Sequence, residues 1–204
     1  RTYPNLLTDE GVLGMEQGGR CKPENSNWLP FIRNAVGPMD FTPGSMFSAQ
    51  PEDNRSTGAN PMGTGTRAYQ MALYVVFESP LQMLADNPVL YRREHPCTEF
   101  LAAVPTTWDS LRVLRAACGR EVVVARRKGD KWYVGGITND RPYTTEIALD
   151  FLPAGRTFTM TSFEDGVNAD LQATDYRKRV REVDASTVVK VEMVRNGGWA
   201  AVIE

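Results

Sequence analysis

The stretch EVVVARRKGDKWYVGGITN, residues 121–139, constrains the fold of this chain more than any other. Two β-rich runs flank Lys128, Gly129 and Asp130, the signature of a β-hairpin with a short turn. Period-two alternation marks TTEIALDF (144–151), TFTMTSFED (157–165), VVKVEMV (188–194) and GWAAVIE (198–204). That period sends successive side chains to opposite faces of a sheet. Several such strands at this spacing indicate a small antiparallel β-sandwich, expected over residues 118–204. Trp132 and Trp199 fall inside these strands and are expected to be core. The basic run YRKRVRE (176–182) alternates with apolar and acidic residues, as a solvated strand face does.

Residues 1–117 have a different texture. QPEDNRSTGANPMGTGT (50–66) is polar and turn-rich, and is expected to be a surface loop. TRAYQMALYVVFESPLQMLADNP (66–88) reads as a helix capped by Thr66, with Pro80 kinking or restarting it. Its apolar residues cover most of the circumference, so it needs neighbours on several sides. EFLAAVPTTWDSLRVL (99–114) reads as a short helix, a strand-like VPTTWD and a turn. One substantial helix and a few short strands carry too large an apolar load to close a core alone. A parallel α/β barrel needs about 250 residues, so this half is expected to be part of a larger unit. The start at Arg1, without Met or a signal-like segment, suggests a processed or truncated product.

Composition narrows the function classes. The net charge of −2 supplies no basic field for nucleic acid. No run of about 18 apolar residues suggests a membrane-spanning helix. Cys21, Cys97 and Cys118 have no zinc-like spacing, and His95 is the one histidine. A Ser-His-Asp triad or a polyhistidine metal centre is therefore not expected from this chain alone.

The segment TDEGVLGMEQGG (8–19) sets Glu10 and Glu16 among Gly11, Gly14, Gly18 and Gly19. Paired carboxyl groups are what glycoside hydrolysis requires, and carboxylate oxygens are what calcium prefers. A solvated loop is the plain alternative. Arg33 and Asp40 are expected to pair across their loop. Trp108 beside Asp109 would suit sugar stacking, although Trp is more often core. Trp28 fits either role.

Five blocks in order, YPNLLTDEGVLGMEQ, LPFIRNAVGPMDFTPGSM, TRAYQMALYVVFESPLQMLAD, FLAAVPTTWDSLRVL and VVVARRKGDKWYVGGITN, resemble glycoside hydrolase family 97. The family includes α-glucosidases and α-galactosidases. Its members carry an N-terminal β-sandwich, a catalytic (β/α)8 barrel and a C-terminal β-sandwich. The resemblance therefore implies an α/β plus all-β chain. Residues 1–117 would be the C-terminal part of the barrel and residues 118–204 the sandwich.

By the same resemblance, Glu16 is the proton donor and Glu10 a calcium ligand, with Glu16 contributing to that ion. Trp108 and Asp109 are candidate substrate residues. The partner carboxylate and the remaining calcium ligands would lie upstream of Arg1, so the isolated chain is expected to be inactive. Asn25 stands where members commonly have His. The implied partners are an α-linked oligosaccharide and the rest of the catalytic domain, and the implied location is periplasmic or secreted. The rival expectation is a non-catalytic carbohydrate-binding or structural sandwich fragment.

Overall fold

A computed structural model describes residues 5–204; Tyr3 and Pro4 of the expected apolar lead-in lie outside them. The first half contains the short helices α1 (Pro23–Ser26) and α2 (Leu29–Ile32), and the two-residue strands β1 (Ser48–Ala49) and β2 (Gly63–Thr64). Helices α3 (Arg67–Val76), α4 (Pro88–Arg93) and α5 (His95–Ala103) follow. Three extended segments run parallel, through bridges Asp9–Met39 and Phe41–Gln82. Met39 N donates to Glu78 O at 3.1 Å and Met83 N to Phe41 O at 3.0 Å. The expected barrel is not closed among the described residues; what is present is these segments and the helices between them.

The long helix expected over 66–88 stops at Val76. Phe77 is extended, and the chain from Glu78 onward pairs with residues 39–43. Pro80 therefore sits in extended chain, where its fixed φ is tolerated. Helix resumes at Pro88, where Asn87 Oδ1 accepts from the Val89 and Leu90 amides at 3.0 and 3.1 Å. Thr66 does cap α3, its Oγ1 accepting from Tyr69 N at 3.1 Å. The loop expected to be exposed over 50–66 tucks in at both ends, with Gln50, Thr64 and Thr66 fully buried.

The second half is β-structure. Strands β3 (Ser110–Ala117), β4 (Glu121–Lys128), β5 (Lys131–Thr138), β6 (Tyr143–Ala148), β7 (Phe158–Asp165), β8 (Tyr176–Val183), β9 (Val188–Met193) and β10 (Gly198–Ile203) form it. The main sheet is antiparallel in the order β3-β4-β5-β10-β7-β8, and β6 pairs with β9 in a second layer. VPTTWD is loop, and the residues after it form edge strand β3. The sheet thus begins ahead of the 117/118 division. The basic run is edge strand β8, where Arg179 Nε lies 3.3 Å from Glu164 Oε2 and Arg181 also pairs with Glu164. All three cysteines are free thiols, and no described helix is long and apolar enough to cross a membrane.

The main sheet is apolar on both faces. Val123, Ala125, Trp132, Val134, Trp199 and Ala201 face β6 and β9, joined by Ile147, Val191 and Met193. Val122, Val124, Tyr133, Phe163 and Ala200 face the other way, onto α3. All ten residues of α3 are buried between this face and the first half. Each large side chain withdrawn from water contributes roughly 1.5–3 kcal/mol. Glycines let the helix come close. A Cβ on Gly135 would lie 2.8 Å from Val75 Cβ, and one on Gly198 2.3 Å from Tyr69 Cα.

A buried polar joint fixes the helix. Thr66 N donates to Asn196 O at 2.9 Å and Arg67 N to Ala173 O at 2.8 Å. Asn196, held at φ 53°, donates from Nδ2 to Gln50 Oε1 at 2.9 Å. Asp165 accepts from Thr66 Oγ1 at 2.6 Å, Val194 N at 3.0 Å and Gly198 N at 3.1 Å. Burial pushes its carboxyl up from 3.8 to about 7, against the pull of those three donors.

The sign of the pH effect is set by that upward shift. Between 3.8 and about 7 the folded state holds a proton that the unfolded state has released. The stability linked to Asp165 is fully present below pH 4 and is lost as pH rises through 7. Asn mimics the protonated acid. Asp165→Asn is therefore expected to gain on the wild type by on the order of 2–4 kcal/mol between pH 4 and 8. Urea midpoints of both proteins across that range check this; parallel pH profiles would refute it.

Candidate functional site

Glu10 and Glu16 ride on one loop that leaves the first parallel segment. Its start is held by Arg33, whose Nη2 donates to Asp9 O at 2.8 Å and whose Nη1 donates to Gly37 O at 3.2 Å. The expected Arg33–Asp40 pair is not formed among the described residues. The guanidinium binds backbone carbonyls instead, bracing the approach to Glu10. Gly11, at φ 144°, takes a turn that a side chain disfavours.

The middle of the loop is anchored by Met15. Its amide donates to Thr42 O at 2.8 Å, and its side chain is fully buried. Glu16 follows in the 3-10 turn Met15–Arg20 and stays exposed. Its carboxylate folds back over Gly14, so a Cβ there would lie 2.1 Å from Glu16 Oε2. Glycine at 14 thus leaves room for the acid in this position. Cys21 closes the turn, its Sγ donating to Leu13 O at 3.2 Å. Burial first, and then the charge of Glu16, push the Cys21 thiol up to about 12, so it is inert as a nucleophile.

The two exposed carboxylates present hard oxygen donors, and neither is in an ion pair among the described residues. This chemistry suits calcium, which takes six to eight oxygens. No group of three His, Cys, Asp or Glu side chains able to hold a metal occurs among the described residues. Glu10 and Glu16 can by themselves supply only part of such a shell. Beside this loop a cavity of about 330 Å³ is lined by Leu13, Arg20, Ser26 and Trp28. Trp28 is 44% exposed and lies against Gly119, where a Cβ would meet its ring at 2.7 Å.

Trp108 and Asp109 lie elsewhere. They line a separate cavity of about 430 Å³ with Leu7, Glu78 and Arg126, and neither Glu10 nor Glu16 takes part. The Asp109 carboxylate braces the β4–β5 hairpin, accepting from Gly129 N at 2.7 Å and Lys128 Nζ at 3.4 Å. The Gly129 amide foremost, with Lys128 and Arg127, holds that carboxyl below the usual range. Trp108 packs edge-on to Tyr133 at 5.5 Å. Sequence reasoning missed the bracing role of Arg33 and missed Arg126 altogether. Arg126 had a signal, since it continues the inward Val122, Val124 positions of β4.

Residues 107–204 match the family described as Glycosyl-hydrolase 97 C-terminal, oligomerisation. Over its whole length the chain is 43% identical to a retaining alpha-galactosidase of Bacteroides thetaiotaomicron, covering 31% of that protein. It is 32% identical to a probable retaining alpha-galactosidase of Streptomyces bingchenggensis, with 99% of this chain and 29% of that one aligned. A solved glycoside hydrolase family 97 enzyme from Pseudoalteromonas sp., in complex with panose, superposes with a TM-score of 0.87 at 36% identity. That match covers all of this chain and 32% of the enzyme. The chain thus spans about a third of the length of the relatives it matches.

Proposed function

We propose that this chain, which belongs to glycoside hydrolase family 97 and corresponds to the C-terminal part of its members, carries the general acid of a retaining α-galactosidase. The observation that supports this most directly is the placement of Glu16. It is an exposed carboxyl on a loop pinned by Met15, Cys21 and Arg33. It follows the first of three parallel segments, and that succession supports the barrel reading. Asp9, residues 39–43 and residues 78–85 are three extended segments joined by parallel bridges, with α1 and α2 between the first and second and α3 between the second and third. In a parallel barrel, groups just past a strand's carboxyl end form the active face.

In this reading Glu16 donates a proton to the glycosidic oxygen as the bond to the sugar breaks. In the second half-reaction it takes a proton from the attacking water. The carboxylate nucleophile lies outside this chain. Glu10, with Glu16, would hold part of a calcium ion, whose charge when bound polarises groups at the sugar. Substitution of Glu16 in the full-length protein tests the acid. Thorough chelation tests the metal: activity of the full-length protein is expected to fall to background and to return with added calcium. Unchanged turnover after chelation would remove calcium from the proposal.

The bound panose of the Pseudoalteromonas enzyme favours a second substrate reading, an α-glucoside. Parallel assays on α-galactosides and α-glucosides decide between the two. The family further points to a periplasmic or secreted location, testable by fractionation.

A further inference from the structure

Two loops of the first half follow successive parallel segments: the Glu16 loop after Asp9, and the chain from Gly44 after residues 39–43. Two fully buried polar side chains, Thr64 and Gln70, tie these loops together. Thr64, in β2, donates from Oγ1 to Cys21 O, at the close of the turn that carries Glu16. The same oxygen lies 3.8 Å from Met15 Sδ, so it touches the first residue of that turn as well. Gln70 of α3 donates from Nε2 to Thr64 O at 2.7 Å. Its Oε1 accepts from Gly44 N at 3.0 Å and from Ser45 N at 3.2 Å.

Glu16 is exposed, so its position is set by the backbone of its turn and not by burial. That backbone is held from its buried side, and Thr64 supplies the hold. Thr64 is itself fixed on both flanks. A Cβ on Gly63 would lie 2.5 Å from Ser45 Cβ, and Gly65 N donates to Ala49 O at 3.0 Å. Two residues on, Thr66 enters the Asp165 joint. Residues 64–66 thus run from the acid loop to the β-domain. A general acid has to stand within hydrogen-bond reach of the oxygen that it protonates, and a misplacement of about 1 Å can cost on the order of 10²-fold.

We propose that Thr64 is a positioning residue for Glu16. Its hydroxyl holds the Met15–Arg20 turn where the Glu16 carboxyl meets the glycosidic oxygen, and residues 64–66 brace that turn against the β-domain. The inference rests on the acid role proposed for Glu16.

Thr64→Val and Thr64→Ser in the full-length protein test it. Val keeps the shape of Thr and loses the hydroxyl. It is expected to lower kcat on an unactivated disaccharide about tenfold or more, with KM changed by less than about twofold. Thr64→Ser keeps the donor and is expected to stay near the wild type. On an aryl galactoside with an acidic phenol, assayed with azide, Thr64→Val should keep wild-type turnover, because neither step then needs the acid. In a Glu16→Gln background, Thr64→Val should cause no further loss on the disaccharide, since it acts through Glu16. Thermal unfolding checks that the variants fold, and Thr64→Ala replaces Thr64→Val if Val is not tolerated. Wild-type kcat without the hydroxyl, equal losses on both substrates, or an additive loss in the double variant would overturn the role of Thr64 while leaving Glu16 as the acid. Near-normal hydrolysis by Glu16→Gln alone would overturn the acid role, and this inference with it.

Discussion

Glu16→Gln in the full-length protein is expected to lower kcat/KM on an unactivated disaccharide by on the order of 10²–10⁴-fold. The size reflects what the residue is asked to do. A sugar alkoxide is a poor leaving group, and protonation as the bond breaks removes most of that difficulty. Gln keeps the shape of Glu and loses only the proton. Glu16 is exposed and anchored through its neighbours, so folding should be unaffected. An aryl galactoside with an acidic phenol leaves without help, so its first step should be spared. Its second step still lacks a base, and azide, which needs none, should restore turnover. Near-normal hydrolysis of the disaccharide would remove Glu16 from the acid role. Equal losses on both substrates, without azide rescue, would make it a structural residue.

Gly198→Ala is expected to have the largest effect on stability, about 3 kcal/mol or more. The new Cβ would stand 2.3 Å from Tyr69 Cα, 2.5 Å from Tyr69 N and 2.9 Å from the Ala68 carbonyl carbon. All three atoms are helix backbone, which cannot rotate aside. Relief requires α3 to lift from the sheet, which would strain the Asp165 joint that ties Thr66 to Gly198. Gly136→Ala is the control. Its Cβ would face the opposite layer, 3.3 Å from Val123 Cγ2 and 3.4 Å from Met193 Sδ. Those are side-chain atoms with room to adjust, so its cost should stay below about 1.5 kcal/mol. Denaturant midpoints of the two variants check the contrast. Equal midpoints would mean that the helix does not rest on Gly198.

The strands were legible because a sheet writes its faces into the chain at period two. Residues 121–125 carry no alternation, EVVVA, and yet form strand. Both faces of β4 are buried, so polar residues have no outward positions to occupy. The sandwich was legible; the helical layer on its second face was not, because α3 and the sheet are joined only in space. The helix boundary at Val76 was missed because pairing with residues 39–43 overrides local propensity. At the candidate site, spacing alone did not separate Glu10 and Glu16 from a solvated loop. Their proposed roles came from the resemblance, to which the structure adds the Met15 anchor and the Gly14 clearance. Trp108 and Asp109 were read as one pair, yet Asp109 serves the hairpin. The brace by Arg33 carries no pattern, since its acceptors are carbonyls that every residue has.

The two-faced sheet bears on how such proteins can be taken apart. The family match begins at residue 107, which invites treatment of residues 107–204 as a portable module. A cut there would remove α3 and bare Val122, Val124, Tyr133, Ile137, Phe163 and Ala200 in one patch. The boundary visible to sequence comparison is thus not a boundary of cooperativity. Inheritance of this domain without its preceding helix would require either a new apolar cover or a rewritten inner face.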